Sequence, residues 1–301
     1  METTLLFKTT LILTFELSIA FGLCIHFLKA AKKLALVGKP FLGIHFRHSV
    51  NMNNEIDLIP DATKAINYPR KLTKFEVEEK KASGIFSTKK KEIKRKEVFA
   101  KDREEAITYL KDGYRDVLQM PKPIIITTVL WILLSLGLLI SSIVPPYEYY
   151  LLVGMTLFTL TNICLGPILG WAMLMMDEND GMRALKITLI VTFVAGFIGY
   201  SDFYSFAQNG YLTTIMGILL FGLVIFSFFN LFRGFSRATT RYVAIGGAIL
   251  FTLYIIVDFN RLIYLENLNV NDWNTAFYMS YTIYLDIINL LLDILDAMDN
   301  A

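Results

Sequence analysis

Three observations predict an all-α, polytopic membrane helix bundle with about seven transmembrane helices and a basic extramembrane insertion after the first. The 301 residues are 54% apolar, with a positive mean hydropathy. Seven mostly apolar runs of about 18 or more residues punctuate the chain, each long enough to cross a bilayer as a helix. Charge is also unevenly spread. Residues 29–122 hold 22 of the 29 Lys and Arg but 13 of the 27 Asp and Glu, so this segment carries +9 while the remainder is mostly lipid-embedded.

The first run, 5–28, lacks a basic leading region and ends in "LKAAKK" without a small-residue cleavage site, which predicts a retained helix rather than a signal peptide. Glu16 inside it is a candidate to snorkel or to pair with a partner helix. In the 29–122 arm, "KPFLGIHFRHSVNMNNEIDLIPDATKAINYPRKL" has three prolines and no sustained periodicity, predicting loop with short elements. The charge run "KKKEIKRK" at 89–96 reads as a solvated face or a contact for anionic lipid. Its tether between membrane helices argues against nucleic acid. From 98 to 118, Ile107, Leu110, Tyr114 and Val117 recur at helical spacing, predicting an amphipathic helix stopped by "PKP" at 121–123.

Six further runs follow at 123–144, 149–176, 184–201, 211–232, 242–262 and 275–296. Their short connections force antiparallel neighbours in a compact bundle. The predicted organisation is therefore a first transmembrane helix at 1–28, a basic arm at 29–122 with a C-terminal amphipathic helix, and a six-helix membrane domain at 123–301. The excess of Lys and Arg in the arm and in "DENDGMRALK" and "RGFSRATTR" places these loops and the C-terminus on one side, cytoplasm or matrix.

Cys24 and Cys164 fall inside predicted spans, which excludes a disulfide framework. His45 and His48 are three apart but lack a supporting Cys or carboxylate cluster, so they read as a loop pair rather than a metal site. The sequence has no nucleophile motif, glycine-rich phosphate loop or HExxH. The expectation is a protein that is not an enzyme and uses no cofactor or metal.

The last run, "YTIYLDIINLLLDILDAMDN", carries acids where lipid would be expected. At 100° per residue, Thr282, Asp286, Asn289, Asp293 and Asp296 fall within roughly an 80° arc. An acid at mid-bilayer costs about 2.5–3.5 kcal/mol on insertion scales, so this stripe must face the bundle interior, a partner or water. Asp258, near the end of the sixth run, is a second intramembrane acid. Two carboxylates on short-connected helices can meet and share a proton. The alternative is that Asp258 caps Arg261 at the interface while Asp286 bonds to backbone.

These residues resemble a known family. "YTIYLDIINLLLDIL" is similar to the last helix of the Bax inhibitor motif family, and four further segments match in order: "LTNICLGPIL", "MRALKITLIVTFVAGFIGYSDFYSF", "FSFFNLF" and "YIIVDFNRLI". The resemblance covers about 123–298 and looks nearest the mitochondrial growth-hormone-inducible branch. Asp202 stands at the family's Asp-Phe-Ser turn. The resemblance implies seven helices, a calcium pathway, and a pH-responsive pair formed by Asp258 and Asp286 that gates it. It also implies an integral membrane location, with the mitochondrial inner membrane favoured.

Departures from the family pattern are Phe259-Asn260 in place of Thr-Gln, an acidic tail of Asp293, Asp296 and Asp299, and 94 residues between the first two helices. They keep a second function in view: an accessory or structural subunit of a larger membrane complex, contacting protein partners through the 29–122 arm. The expected partners are thus the lipid bilayer, calcium or protons as transported ions, and a protein or anionic lipid at the arm.

Overall fold

A computed structural model of the chain describes residues 3–50, 55–61, 69–80, 90–116, 120–143, 150–201, 203–233 and 236–299. Its helices are α1 (Leu5–Leu36), α2 (Arg103–Lys111), α3 (Lys122–Ile143), α4 (Tyr150–Met175), α5 (Glu178–Tyr200), α6 (Gly210–Arg233), α7 (Arg237–Asn267) and α8 (Trp273–Asp299). Among the described residues, five strands lie between α1 and α3: β1 (Phe46–Val50), β2 (Ile56–Pro60), β3 (Arg70–Lys80), β4 (Lys90–Ala100) and β5 (Arg115–Asp116). The chain divides into two compact units, Met1–Phe27 with Thr127–Ala301, and Leu28–Ile126.

The first unit is the helical membrane bundle that the apolar runs predict. Six helices, α1 and α3 to α7, are long and apolar enough to cross a membrane by length and composition. The seventh, α8, has 27 residues, and its aspartates separate it from the others by composition. Helix starts follow local chemistry. The Asp177 side chain accepts from the Asn179 N–H ahead of α5, and Ser236 accepts from Thr239 ahead of α7, each satisfying a donor that the first helical turn leaves free.

Glycines set how closely the helices approach. A Cβ on Gly166 of α4 would lie 2.8 Å from the Ala20 carbonyl oxygen of α1, and one on Gly170 would lie 2.7 Å from the Phe27 ring. Their four-residue spacing gives α4 a smooth face for α1. Gly199 of α5 likewise abuts the Ile256 carbonyl of α7, and the Phe259 ring packs on Gly196.

Burial ranks the helices. Only 6% of the apolar stretch of α6 and 11% of that of α3 is covered by protein, against 44% for α7, so α3 and α6 are the least enclosed by the rest of the bundle. The acid-bearing α8 is central, as the stripe requires. Phe277, Ile283, Ile287 and Leu291 are fully buried along it. Phe158 of α4 meets Phe277, Tyr281 and Tyr284 edge-on at 6.0, 5.3 and 4.8 Å between ring centroids.

The second unit corrects the sequence reading of the arm. It is built on antiparallel strands: β1 pairs with β2 with Phe46 opposite Pro60, and β3 pairs with β4 with Arg70 opposite Ala100. β5 adds to the far edge of β3, giving the order β4-β3-β5. The segment expected as loop with short elements holds the short β1–β2 pair, whereas residues 90–96 of the charge run, expected as a solvated face, form part of a strand. Leu72, Ala100 and Ala106 are fully buried, with Val98, Tyr109, Leu110 and Tyr114 packed against them. Lys71 and Glu97, on neighbouring strands, form an ion pair at 2.6 Å.

Over the described part of 98–118 the expected helix is confined to α2, and Val117 lies outside the described residues. Asp102 accepts from Glu105 N–H at 2.9 Å while Glu105 accepts from Lys101 N–H at 2.7 Å, a reciprocal cap that fixes the start. The end is fixed by Gly113, whose φ of +86° is the left-handed conformation that terminates helices.

Candidate intramembrane carboxylate site

Helix α7 brings Asp258 and helix α8 brings Asp286 to one place inside the bundle. The two carboxyls lie close enough for each to act on the other, and the residues are 6% and 8% exposed. Two carboxyl groups can hydrogen-bond to one another only when at least one carries a proton. Each also keeps its Oδ2 buried with no protein partner. Between the two arrangements left open by the sequence, the structure places the acids together; the charge of Arg261, one turn along α7, still acts on Asp258. Arg261 itself is exposed and lies over the Tyr278 ring of α8, 5.9 Å from its centroid.

The rest of the polar stripe separates by depth. Thr282 spends its hydroxyl on the Tyr278 carbonyl of its own helix at 3.0 Å and does not join the pair. Asn289, Asp293 and Asp296 instead line a cavity of about 410 Å³ with Ser227 and Asn230 of α6 and Thr240 of α7. The Asp293 Oδ2 is buried there without a hydrogen-bond partner. This arrangement puts the carboxyl pair in the core of α8 and a cavity of mixed apolar and acidic lining two turns further along the same helix. Asp202 lies outside the described residues.

Asn260, one of the two residues that stand in place of the family's Thr-Gln, has a role that the sequence did not reveal. It is buried; its Oδ1 accepts from Ala207 N–H at 3.0 Å, and its Nδ2 donates to the carbonyls of Tyr204 at 3.2 Å and Gly199 at 3.4 Å. One side chain two residues beyond Asp258 thus clasps the turn between α5 and α6. Phe259 packs on Gly196 and Gly199 and holds α5 against α7. Glu16 does not join the pair: its carboxyl is engaged by Thr159 and Asn162 of α4.

Cys24 and Cys164 are both free and buried. Among the described residues, no group of three or more His, Cys, Asp or Glu side chains is arranged to hold a metal ion. Comparison with known proteins gives one family. The model described as Inhibitor of apoptosis-promoting Bax1 matches residues 107–301, which include α3 to α8. No curated protein matches the chain.

Proposed function

This multi-pass membrane protein belongs to the Bax inhibitor family, and from that premise we propose that it is a non-catalytic, pH-responsive leak for calcium or protons, gated by Asp258 and Asp286. The observation that carries the reading is the meeting of two buried carboxyls, one from α7 and one from α8, close enough to act on each other. With a proton between them, the pair ties α7 to α8 at low cost. With both ionised, two like charges face each other in a low-dielectric site, and the contact is driven apart. The conductance therefore rises as pH rises through the titration of the pair.

The neighbouring cavity suits the same task. Asp293, Asp296 and Asn289 offer oxygen donors of the kind that hard cations favour, and the cavity follows the helix that moves when the pair ionises. The mitochondrial inner membrane is the proposed location, on the resemblance of the "LTNICLGPIL" and "MSYTIYLDIINLL" segments. The test is calcium flux into liposomes across a pH series. Wild type should conduct more at higher pH, and Asp286→Asn should blunt that dependence while leaving the bundle folded. A wild type that conducts at no pH would remove the leak reading.

A second reading rests on a different observation. Residues 28–126 form a compact unit with its own small core. Such a unit suits an accessory subunit docked in a larger complex through protein or anionic-lipid contacts. Purification in mild detergent discriminates the two: deleting 45–110 should strip partners or lipid on this reading and leave flux untouched on the first.

A further inference from the structure

A further acid is buried in the bundle, away from the pair described above. Glu16 lies on α1, outside residues 107–301 matched to the family, and is 0% exposed. Thr159 Oγ1 donates to its Oε1 at 2.7 Å, and Asn162 Nδ2 donates to its Oε2 at 2.8 Å, both from α4. The Tyr284 hydroxyl of α8 donates in turn to Asn162 Oδ1. Three helices therefore meet on one carboxyl through uncharged partners.

We propose that Glu16, Thr159, Asn162 and Tyr284 form a second intramembrane proton-binding site, whose occupancy locks α1 onto α4 and α8. The site has no counter-charge. The groups facing Glu16 are Thr159 and Asn162 from α4, both neutral, and the Tyr284 phenol from α8, on which Tyr281 acts in turn. No Lys, Arg or His pairs with Glu16 among the described residues. An ionised carboxylate in such a place is costly, because two neutral hydrogen bonds do not replace its hydration.

A protonated Glu16 fits the same geometry. The Thr159 hydroxyl rotates to accept as readily as it donates, so the network closes with the proton in place. Ionisation reverses the balance. The charge then gains most by reaching water, and the route is to part the seam between α1 and α4. That seam is packed tightly, with Gly166 and Gly170 against Ala20 and Phe27 and Cys24 Sγ 3.6 Å from Met173 Sδ. The lock is thus closed by a proton and released by its loss.

Infrared spectroscopy of the full chain in liposomes tests the protonation directly. Wild type should show a carboxylic-acid C=O band at neutral pH that disappears in Glu16→Gln and shifts in frequency in Thr159→Val. Either variant assigns the band, so a poorly folding one does not block the test. The seam is read separately by disulfide formation between native Cys24 and Met173→Cys in a Cys164→Ala background. Cross-linking should be high while the acid band persists and fall several-fold as alkaline pH removes it. In Glu16→Gln it should stay high at every pH. Glu16 found as a carboxylate at neutral pH would overturn the proposal. So would cross-linking that stays constant while the band titrates, or a band and cross-link that both persist to the alkaline limit of folding.

Discussion

The carboxylate of Asp293 on α8 rests against Gly247 of α7 so closely that a Cβ on the glycine would collide with it. The acid reaches its place at the cavity only because the facing helix has no side chain there. Gly247→Ala should therefore displace Asp293 and cost about 1–3 kcal/mol, the usual range for overpacking a filled site. Thermal unfolding in detergent measures this. The penalty should shrink in an Asp293→Ala background, where the colliding carboxylate is gone, and an unchanged penalty would mean that the contact does not limit packing.

Asp258 and Asp286 should behave as one group in a mutant cycle. Asp258→Asn and Asp286→Asn each keep side-chain size and a hydrogen bond while removing the paired charge. Each alone should flatten the pH dependence of calcium flux, and the double variant should add little beyond either. Additive effects would show that the carboxyls titrate independently.

Asn260 satisfies three backbone groups, one in the last turn of α5 and two in the turn that follows it. Asn260→Ala leaves the Ala207 N–H and the Tyr204 carbonyl without this partner, at a cost of about 1–3 kcal/mol for a buried group left unmatched. Faster hydrogen exchange at the Ala207 amide, with the interior of α7 unchanged, is the expected signature. Uniform acceleration throughout α7 would point instead to general unfolding.

Asp272 caps α8 outside the membrane core. Its Oδ1 accepts from Thr275 N–H at 2.8 Å and its Oδ2 from the Thr275 hydroxyl at 2.7 Å. The Thr275 N–H leads in holding the carboxyl below the usual carboxylate range. A lowered value means that the cap contributes fully above that range and fades as pH falls through it. Protection of the Thr275 amide should decline on acidification. Asp272→Ala should remove the pH dependence and weaken the helix start by about 0.5–2 kcal/mol.

The bundle was legible because lipid imposes a simple rule: a chain in hydrocarbon must satisfy its backbone internally, so long apolar runs become helices. Asp258 and Asp286 were legible for the complementary reason, since an acid in such a run needs a partner. The arm obeys no such rule. Ile107, Leu110, Tyr114 and Val117 have helical spacing, but Gly113 breaks the helix between them, and Tyr114 folds back to an edge-on contact with Tyr109 at 5.4 Å. The lysine run hid a strand because its pairing with β3 is a backbone relationship across the hairpin. Asn260 and the partners of Glu16 were illegible for another reason. Their roles depend on which helices become neighbours, and Glu16 and Asn162 are 146 residues apart.

That separation bears on how the protein is made. The first helix meets α8 at several points: Ser280 donates to the Thr9 carbonyl at 2.8 Å, Lys8 Nζ donates to the Asn271 carbonyl at 2.8 Å, and Tyr284 completes the network around Glu16. Among the described helices, α8 is the last to be translated. During synthesis α1 therefore enters the bilayer before α4 supplies the direct partners of its acid, and its contact surface is complete only once α8 has been made. Of the described helices, the earliest made is thus held in place by contacts with one of the latest.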